Sequence, residues 1–390
     1  MKRVALEGIC NIVVGKTPAR ANYAFWGDGN PWLSIADMTK SDLYLGNTKE
    51  EITDIAVKEC NCRLIPKNTV LLSFKLSIGK VGITQIPLYT NEAIAALIVK
   101  NKEQVNTKYL YYALKGQDFS IGSNRAVMGQ TLNKAKLNKL EIPLPSMGDQ
   151  KRIVRILDEA DALRQKRKQA IELLDDYLKS VFLDMFGDPV KNPKGWKTEK
   201  LKNLTSKIGS GATPRGGKTA YINKGISLIR SLNVHDNEFL YKNLAFINEK
   251  QAEELSNVAV EEQDVLLNIT GASVCRCALV PKDILPARVN QHVSIIRANE
   301  LLRAEYLLHL LISKSFKRKL LKDASSGGAT REALTKQQLE KLEVMYPPID
   351  IQNQFIKIVH EKELLRQKMV MQSEELETQF QALMQRAFNG

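Results

Sequence analysis

The chain contains one long segment twice. Residues 137–188 recur without a gap as residues 339–390, and fifteen of the 52 aligned positions are identical. The two copies begin LNKLEIPLPSMGDQ and LEKLEVMYPPIDIQ, and the run Arg-Gln-Lys occurs in both. Unrelated segments of average composition share far fewer positions. A repeat of this length restricts the chain to folds that are built from two related halves.

The stretches that precede the two copies also match, though more loosely. They share a Gly-x-Thr-Pro motif (15–18 and 211–214), the runs VLLSF and VLLNI (70–74 and 265–269), an Asn-Glu or Asn-Gln pair (91–92 and 290–291), and Tyr-Leu (109–110 and 306–307). The offset drifts between 195 and 202 residues, as expected where loops differ in length. The sequence therefore predicts a globule, a helix, a second globule and a second helix, with the bounds 1–147, 148–187, 188–348 and 349–390.

Each repeated segment has apolar residues at steps of three and four, which is typical of a coiled-coil seam. Each predicted helix has about 36 residues and a length of about 54 Å. We expect the helices to pair antiparallel, and the segment GDPVKNPKGW (187–196) to end the first one sharply. The predicted seam positions are Ile153, Ile156, Ala160, Leu163, Ala170, Leu174, Tyr177 and Val181 in the first helix, with Leu157, Ile171, Leu178 and Phe182 widening its apolar face, and Phe355, Ile358, Leu365, Met369, Leu376 and Leu383 in the second.

Short β-rich runs alternate with turn residues in both globules. Examples are TVLLSF, VGITQI and HVSIIR, and helical stretches follow at 108–116 and 305–313. The predicted fold class is α/β (α+β): two repeated domains separated by two long helices that form an antiparallel coiled coil, with internal pseudo-two-fold symmetry.

The net charge of +14, with an isoelectric point near 9.4, favours a polyanionic partner such as nucleic acid. A soluble basic protein without such a partner is the alternative. No run approaches the ~20 apolar residues that a membrane-spanning helix needs, and Glu7 and Asn11 interrupt any signal-peptide core. We therefore expect a cytoplasmic chain without a membrane partner.

The five cysteines are Cys10 and two Cys-x-Cys pairs, Cys60/Cys62 and Cys275/Cys277. Structural zinc sites use Cys-x-x-Cys spacing instead. The pair in SVCRCALV (273–280) is predicted to lie on one face of a strand, where cysteine serves as a small apolar residue. Buried free thiols are thus favoured over a metal site.

The segment GATPRGGKT (211–219) resembles a phosphate-binding P-loop, but its spacing is one residue too long. No clear apolar strand is predicted to lead into it, and the first half of the chain lacks the Gly-Lys-Thr ending. The four histidines are scattered, and His309 is expected to be a packed core residue. No methyltransferase motif, acid–base pair or metal site is found, so the sequence predicts neither catalytic residues nor a cofactor.

Corresponding loops of both halves are rich in residues that contact DNA. Arginine suits guanine, asparagine and glutamine suit adenine, and lysine mostly binds phosphates. For any one such residue, an ordinary solvated side chain is the alternative. The candidate DNA-binding residues are Lys16, Thr17, Arg20, Lys75, Ser77, Lys80, Asn91, Gln130, Thr131 and Lys134 in the first half, and Thr213, Arg215, Lys218, Arg230, Ser231, Asn233, Arg276, Asn290, Gln291, Thr330 and Arg331 in the second.

The Gly-x-Thr-Pro motifs, the two repeat junctions and the connector FGDPVKNPKGW (186–196) together resemble the DNA-specificity subunits of type I restriction-modification systems. The resemblance implies two target-recognition domains, each reading half of a bipartite site in double-stranded DNA. It also implies that the paired helices set the spacer and dock two methyltransferase (modification) subunits. Endonuclease/translocase (restriction) subunits would join the full complex, and the chain itself would be non-catalytic.

Two other classes of function stay open at this stage. One is an enzyme, either a nucleotide hydrolase that uses residues 211–219 or a nuclease, which loss of activity in Lys218→Ala would support. The other is a coiled-coil scaffold that binds proteins only. A basic DNA-binding protein should lose DNA affinity steeply with salt, whereas the scaffold should not.

Overall fold

The computed structural model describes residues 2–40, 43–75, 77–117, 119, 133–325 and 332–388, apart from the side chains of Lys40, Asp175 and Lys218. The chain divides into two compact units. Unit 1 comprises residues 1–168 and 371–390, and unit 2 comprises residues 169–370. Among the described residues, no helix is both long and apolar enough to span a membrane.

The described residues of unit 1 form ten strands and five short helices, together with parts of two long helices, α6 (Met147–Phe186) and α11 (Ile349–Phe388). The strands are β1 (Arg3–Ala5), β2 (Cys10–Val14), β3 (Trp26–Leu33), β4 (Tyr44–Leu45), β5 (Glu50–Ile52), β6 (Val70–Ser73), β7 (Val81–Thr84), β8 (Tyr89–Thr90), β9 (Ile94–Val99) and β10 (Glu141–Pro143). The short helices are α1 (Leu6–Ile9), α2 (Ile35–Lys40), α3 (Asp54–Glu59), α4 (Thr107–Lys115) and α5 (Lys134–Asn138).

Unit 2 has the same kinds of element in nearly the same order. Its strands are β11 (Thr198–Lys200), β12 (Thr205–Ser210), β13 (Ile226–Ile229), β14 (Val234–His235), β15 (Glu238–Phe239), β16 (Ala245–Ile247), β17 (Val265–Asn268), β18 (Cys277–Leu279), β19 (Ala287–Val289), β20 (Val293–Ala298) and β21 (Glu343–Met345). Its short helices are α7 (Glu249–Glu254), α8 (Ala304–Ile312), α9 (Lys314–Ser325) and α10 (Lys336–Lys341).

The sheets of the two units correspond, except that among the described residues β4 of unit 1 has no counterpart in the larger sheet of unit 2. The larger sheet has the order β2-β9-β6-β7-β4 in unit 1 and β12-β20-β17-β18 in unit 2. The smaller sheet has the order β5-β3-β8 in unit 1 and β16-β13-β19 in unit 2, and in each the last two strands are parallel. The β-rich runs and the helical stretches predicted from the sequence are thus confirmed, and so is the mixed α/β fold with two related halves.

A buried glutamine fixes the start of each long helix. The side chain of Gln150 accepts a hydrogen bond from the backbone N–H of Asn106 (2.9 Å) and donates to the carbonyls of Gln104 and Pro145. Gln352 makes the same three bonds in unit 2, to the backbone at 303, 301 and 347. Both side chains are fully buried. These bonds explain why the repeat keeps glutamine here, since an unpaired buried amide would be costly.

The two long helices have 40 residues each and run antiparallel where they pack within each unit. In unit 1 Arg164 of α6 pairs with Glu377 of α11 (Nε–Oε2 2.9 Å). In unit 2 the ring of Phe182 lies 5.5 Å from that of Phe355, and Lys362 lies over the ring of Tyr177. The predicted antiparallel pairing is confirmed. Both compact units take part of each long helix, so the four-part division of the chain stays a prediction.

The seam predicted from the heptad pattern is partly wrong. Ile156, Leu163, Tyr177 and Leu365 were expected on it, but these side chains are between 41% and 55% exposed. Of the predicted positions, Phe355 and Met369 of the seam and Leu157 and Phe182 of the widened face are buried. The further buried apolar positions, which were not predicted, are Val154, Phe186, Phe380, Met384 and Phe388. Most of these side chains pack against the globular cores as well as against the other helix. The face of each helix that is buried therefore differs from the face that helix pairing alone would bury.

The connector that follows α6 is a network of turns. Gly187 has a φ of +79°, and a Cβ there would lie 2.6 Å from the Pro193 ring. Asp188 accepts hydrogen bonds from the backbone N–H groups of 190 and 191. The side chain of Asn192 donates to the carbonyl of Trp196 and accepts from its N–H. The predicted sharp end of the first helix is confirmed.

All five cysteines are free thiols. Cys10, Cys275 and Cys277 are buried, and burial raises the pKa of the Cys10 and Cys275 thiols to about 12. Two details differ from expectation. Cys275 lies in a turn with a φ of +65° rather than in a strand, and Cys60 and Cys62 are only half-buried because they flank the surface helix α3.

Candidate nucleic-acid interface

Four loops of unit 1 meet at one end of its larger sheet. We call this set loop cluster 1; it comprises residues 15–20, 33–39, 74–75, 77–80 and 90–93. Backbone hydrogen bonds join the loops: Lys16 N–H to Thr90 O (2.8 Å), Asn91 N–H to Leu33 O (3.2 Å), and 74 to 93 (3.0 Å). The sheet therefore holds separate stretches of chain at one surface.

The corresponding loops of unit 2 form loop cluster 2, which comprises residues 211–217, 229–235, 268–276 and 289–292. The same bonds recur: Ala212 N–H to Val289 O (3.0 Å), Asn290 N–H to Ile229 O (2.9 Å), and 269 to 292 (3.0 Å). The amide of buried Asn268 donates to Ser231 O (2.9 Å) and ties two further loops together. One backbone framework is thus built twice.

The glycine of each Gly-x-Thr-Pro motif is required by this framework. A Cβ on Gly15 would lie 2.1 Å from Thr90 O and 2.3 Å from Asn91 O. A Cβ on Gly211 would lie 2.1 Å from Val289 O and 2.3 Å from Asn290 O. Only glycine permits two backbones to approach so closely. The repeated motif therefore positions the loop that follows it.

The asparagines of the paired Asn-Glu and Asn-Gln turns also have a structural role. Asn91 Oδ1 accepts a hydrogen bond from the backbone of Ala93 (3.1 Å), and Asn290 Oδ1 accepts one from His292 (3.2 Å). Asn290 is only 6% exposed. Asn233 is fully buried, and its side chain bonds the backbone at 230, 240 and 242. These three asparagines were predicted as DNA contacts, and in the structure their side chains hold the loops in shape.

The surface of loop cluster 1 carries both charges. The exposed guanidinium of Arg20 forms a bidentate pair with Glu50 (2.5 and 3.0 Å) and lies 3.8 Å from the Trp26 ring centroid. This hydrogen bond raises the pKa of Arg20 above its ordinary value, with a smaller contribution from the charge of Glu92. Thr17 donates to Glu92.

Three further candidates belong to the hairpin between β6 and β7. Lys75 lies near the Phe74 ring, and Lys80 donates to Thr39. Exposed Ser77 has a φ of +52° and its carbonyl accepts from Ser73. The structure therefore gathers all three at the surface of loop cluster 1.

Loop cluster 2 differs from loop cluster 1 in that its residues include no Asp or Glu. Arg215 is exposed, and Arg230 lies 5.5 Å from the Tyr221 ring and donates to Asn243 O. Among the described residues, the buried Nε of Arg230 finds no acceptor. Thr213 and Ser231 are half-exposed in the same loops.

The remaining candidates lie outside the two loop clusters or outside the described residues. Lys134 is the exposed first residue of α5, which packs against α1 and β2. Gln130, Thr131, Thr330 and Arg331 lie outside the described residues, as does the side chain of Lys218.

Sequence reasoning missed four side chains of the loop clusters, namely Glu92, His235, Thr270 and His292. Thr270 Oγ1 lies 2.6 Å from His292 Nδ1, and Arg276 lies 3.4 Å from His235 Nε2. These partners are 22 and 41 residues apart in sequence, so no local pattern could pair them. Glu92 was visible in the sequence as the counterpart of Gln291, and that repeat relation was the available signal.

The P-loop resemblance is not supported by the local structure. A strand does lead into Gly211, contrary to expectation, because β12 ends at Ser210. However, only a four-residue 3₁₀ turn (Gly217–Ala220) follows, whereas a P-loop opens a long helix. Within the described ranges, no group of three His, Cys, Asp or Glu side chains could hold a metal ion. His309 packs against the Phe355 ring in the core, as predicted.

Comparisons with known proteins point to one family. The family model "Type I restriction modification DNA specificity domain" matches residues 1–173 and again residues 193–367. The MjaIX type I restriction enzyme specificity subunit of Methanocaldococcus jannaschii is 28% identical over 94% of this chain and 88% of its own length. The EcoR124I/EcoR124II specificity subunit of Escherichia coli is 30% identical over 38% of each chain.

Solved structures show the same fold. One, described as the structural basis of complex assembly and conformational transition of the type I R-M system, has a TM-score of 0.65 at 16% identity and covers 99% of this chain and 97% of that one. The type I S subunit from M. genitalium has a TM-score of 0.53 at 14% identity, with 99% and 96% covered. Since the family model matches most of the sequence, once in each half, the chain belongs to the family of type I restriction-modification DNA specificity subunits, which is non-catalytic.

Proposed function

We propose that each loop cluster of this specificity subunit reads one half of a bipartite site in double-stranded DNA. The observation that carries the proposal is the duplicated framework, in which the same backbone bonds present different side chains in the two units. Two similar readers with different surfaces suit a site with two different halves. The net charge of +14 supplies attraction to the phosphates.

The candidate contacts differ in how accessible they are. The exposed or half-exposed residues are Lys16, Thr17, Arg20, Lys75, Ser77, Lys80, Thr213, Arg215, Arg230, Ser231, Arg276 and Gln291. Asn91, Asn290 and Asn233 act by shaping the loops.

We further propose that α6 and α11 set the spacer between the half-sites and dock two modification (methyltransferase) subunits. Several large apolar side chains on these helices face solvent: Ile156, Leu163, Leu173, Tyr177, Leu183, Leu364 and Leu365 are each between 41% and 67% exposed. Exposed apolar side chains grouped on a helix surface are typical of a protein interface. Restriction (endonuclease/translocase) subunits would complete the assembly, and the methyl-transfer chemistry would belong to the modification subunits.

A one-turn insertion tests this function. Four residues are inserted within 165–180, with a matching turn in the facing part of α11, and the subunit is expressed with its modification partner. We expect the methylation map to keep both half-sites and to change the spacer, because each turn adds about 5.4 Å to the helix. The same four residues inserted after Asn47, in the exposed stretch between β4 and β5, serve as a control and should leave the map unchanged. An unaltered spacer in the helix variant would contradict the proposal.

A further inference from the structure

The turns that follow the parallel strands β8 and β19 share one backbone but differ in their side chains, and in unit 2 the amide of Gln291 also lies 3.3 Å from Nε2 of His292, which replaces Ala93 of unit 1. In each turn the asparagine bonds the residue two positions on, and the neighbouring Gly-x-Thr-Pro glycine approaches its carbonyl. The residue directly after the asparagine is Glu92 in unit 1 and Gln291 in unit 2, and both are exposed. Two side chains of nearly the same shape but different hydrogen-bonding capacity therefore occupy equivalent places.

Glu92 is held in place, but no ion pair with another described residue neutralises its charge. The hydroxyl of Thr17 donates to Oε2 of Glu92. Arg20, the nearby cation, gives its guanidinium to Glu50 instead. Among the described residues no donor is found for Oε1 of Glu92. The contact of Thr17 with Oε2 orients the carboxylate, and Oε1 is available to an external donor.

A carboxylate at a DNA-facing surface is unfavourable next to phosphates, because both are negative. A carboxylate contributes favourably to binding only where DNA offers it a hydrogen-bond donor. On the major-groove edge these donors are the amino groups of cytosine and adenine. Adenine places the acceptor N7 beside its amino group, and an ionised carboxylate has no proton to give it. Cytosine has no such neighbouring acceptor on its own edge. A glutamine, in contrast, can donate and accept and so matches adenine.

We propose that Glu92 and Gln291 are specificity-determining residues at equivalent positions. Glu92 accepts a hydrogen bond from the N4 amino group of a cytosine, and Gln291 pairs with N6 and N7 of an adenine. Thr17 acts as a positioning residue for Glu92. The inference rests on the proposed function of the loop clusters and adds which base each of these two side chains selects.

The substitution Glu92→Gln tests the inference with little change in shape. It is made in the full chain and assembled with the modification subunit, and the methylation map is compared with that of the parent. We expect one cytosine in a single half-site to lose its preference by at least about fivefold, with adenine gaining most, since a good base contact discriminates by about this much or more. The other half-site and the spacer should not change.

The reciprocal substitution and a matched control complete the experiment. Gln291→Glu should weaken an adenine in the other half-site and favour cytosine there. Glu103→Gln removes an exposed carboxylate from the turn after β9, at the opposite end of the sheet, and should leave the map unchanged. Thermal unfolding of each variant checks that the fold is retained.

The inference is overturned if folded Glu92→Gln methylates the parent motif unchanged, or if it alters both half-sites. Exchanging residues 1–140 for those of another specificity subunit separates this failure from failure of the proposed function. If the exchange replaces one half-site while Glu92→Gln has no effect, the loops read DNA but Glu92 does not. If the exchange also has no effect, the proposed function itself fails.

Discussion

Loop cluster 1 and loop cluster 2 have nearly the same backbone bonds and different surfaces. Gly15 and Gly211 approach the same carbonyls, and both asparagine turns close in the same way. The side chains beyond them differ: a Thr17–Glu92 contact and an Arg20–Glu50 pair in unit 1, an unpaired Arg230 Nε and a Thr270–His292 contact in unit 2. The comparison teaches that the framework fixes where the loops lie, while side chains on it are left to set what each half reads.

The difference extends beneath the loops into the cores. Thr69 and Ile98 of unit 1 correspond to Asp264 and Arg297 of unit 2, since the strand registers Val70↔Leu97 and Val265↔Ile296 are equivalent. Asp264 is fully buried and bonds Arg297 through both carboxylate oxygens (2.7 and 2.8 Å). Only unit 2 therefore depends on an ion pair at this place.

The largest expected effect comes from breaking that pair. Asp264→Ala should destabilise unit 2 by about 3 kcal/mol, because it removes the buried partner of a partly buried guanidinium, to which only the exposed Glu261 remains paired. The double variant Asp264→Thr/Arg297→Ile, which gives unit 2 the residues of unit 1, should recover most of the loss. Chemical denaturation of the full chain measures both. A double variant as unstable as the single one would show that the two cores are not interchangeable here.

The next effect is expected from the protonation of a buried histidine for which unit 1 has a tyrosine at the equivalent place. His309 of α8 corresponds to Tyr112 of α4, and burial lowers the pKa of His309 to about 4. The unfolded chain takes up this proton below about pH 6.5, whereas the folded chain resists it down to about pH 4. Stability should therefore fall between pH 6.5 and 4, by up to about 3 kcal/mol at the acid end.

The variant His309→Phe isolates this contribution. Its unfolding free energy should depend less on pH across that window than that of the parent, because the titrating group is gone while the apolar contact with Phe355 is kept. Unfolding is measured at pH 7 and at pH 4.5 for both proteins. Parallel pH profiles would show that His309 does not make unit 2 the more acid-sensitive unit.

The duplicated architecture could be predicted because its apolar runs and its Gly/Pro connector determine structure locally. The 202-residue offset between the two copies then shows that the chain contains this structure twice. The helix seam was predicted less well, since Leu163 and Tyr177 satisfy the heptad spacing but the globular cores decide which face is buried. Asn233 looked like a DNA contact because asparagine suits adenine, and nothing local reveals that three backbone groups surround it. Contacts such as Thr270–His292 depend on chain crossings that no sequence pattern encodes.

The central claim is that the two halves are independent readers, and exchanging one of them tests it most directly. Residues 1–140 are replaced by those of another specificity subunit with a known target, and the DNA methylated by the assembled complex is mapped. We predict that one half-site changes to that of the donor, while the other half-site and the spacer are kept. A map in which both half-sites change, or in which neither does, would contradict the account.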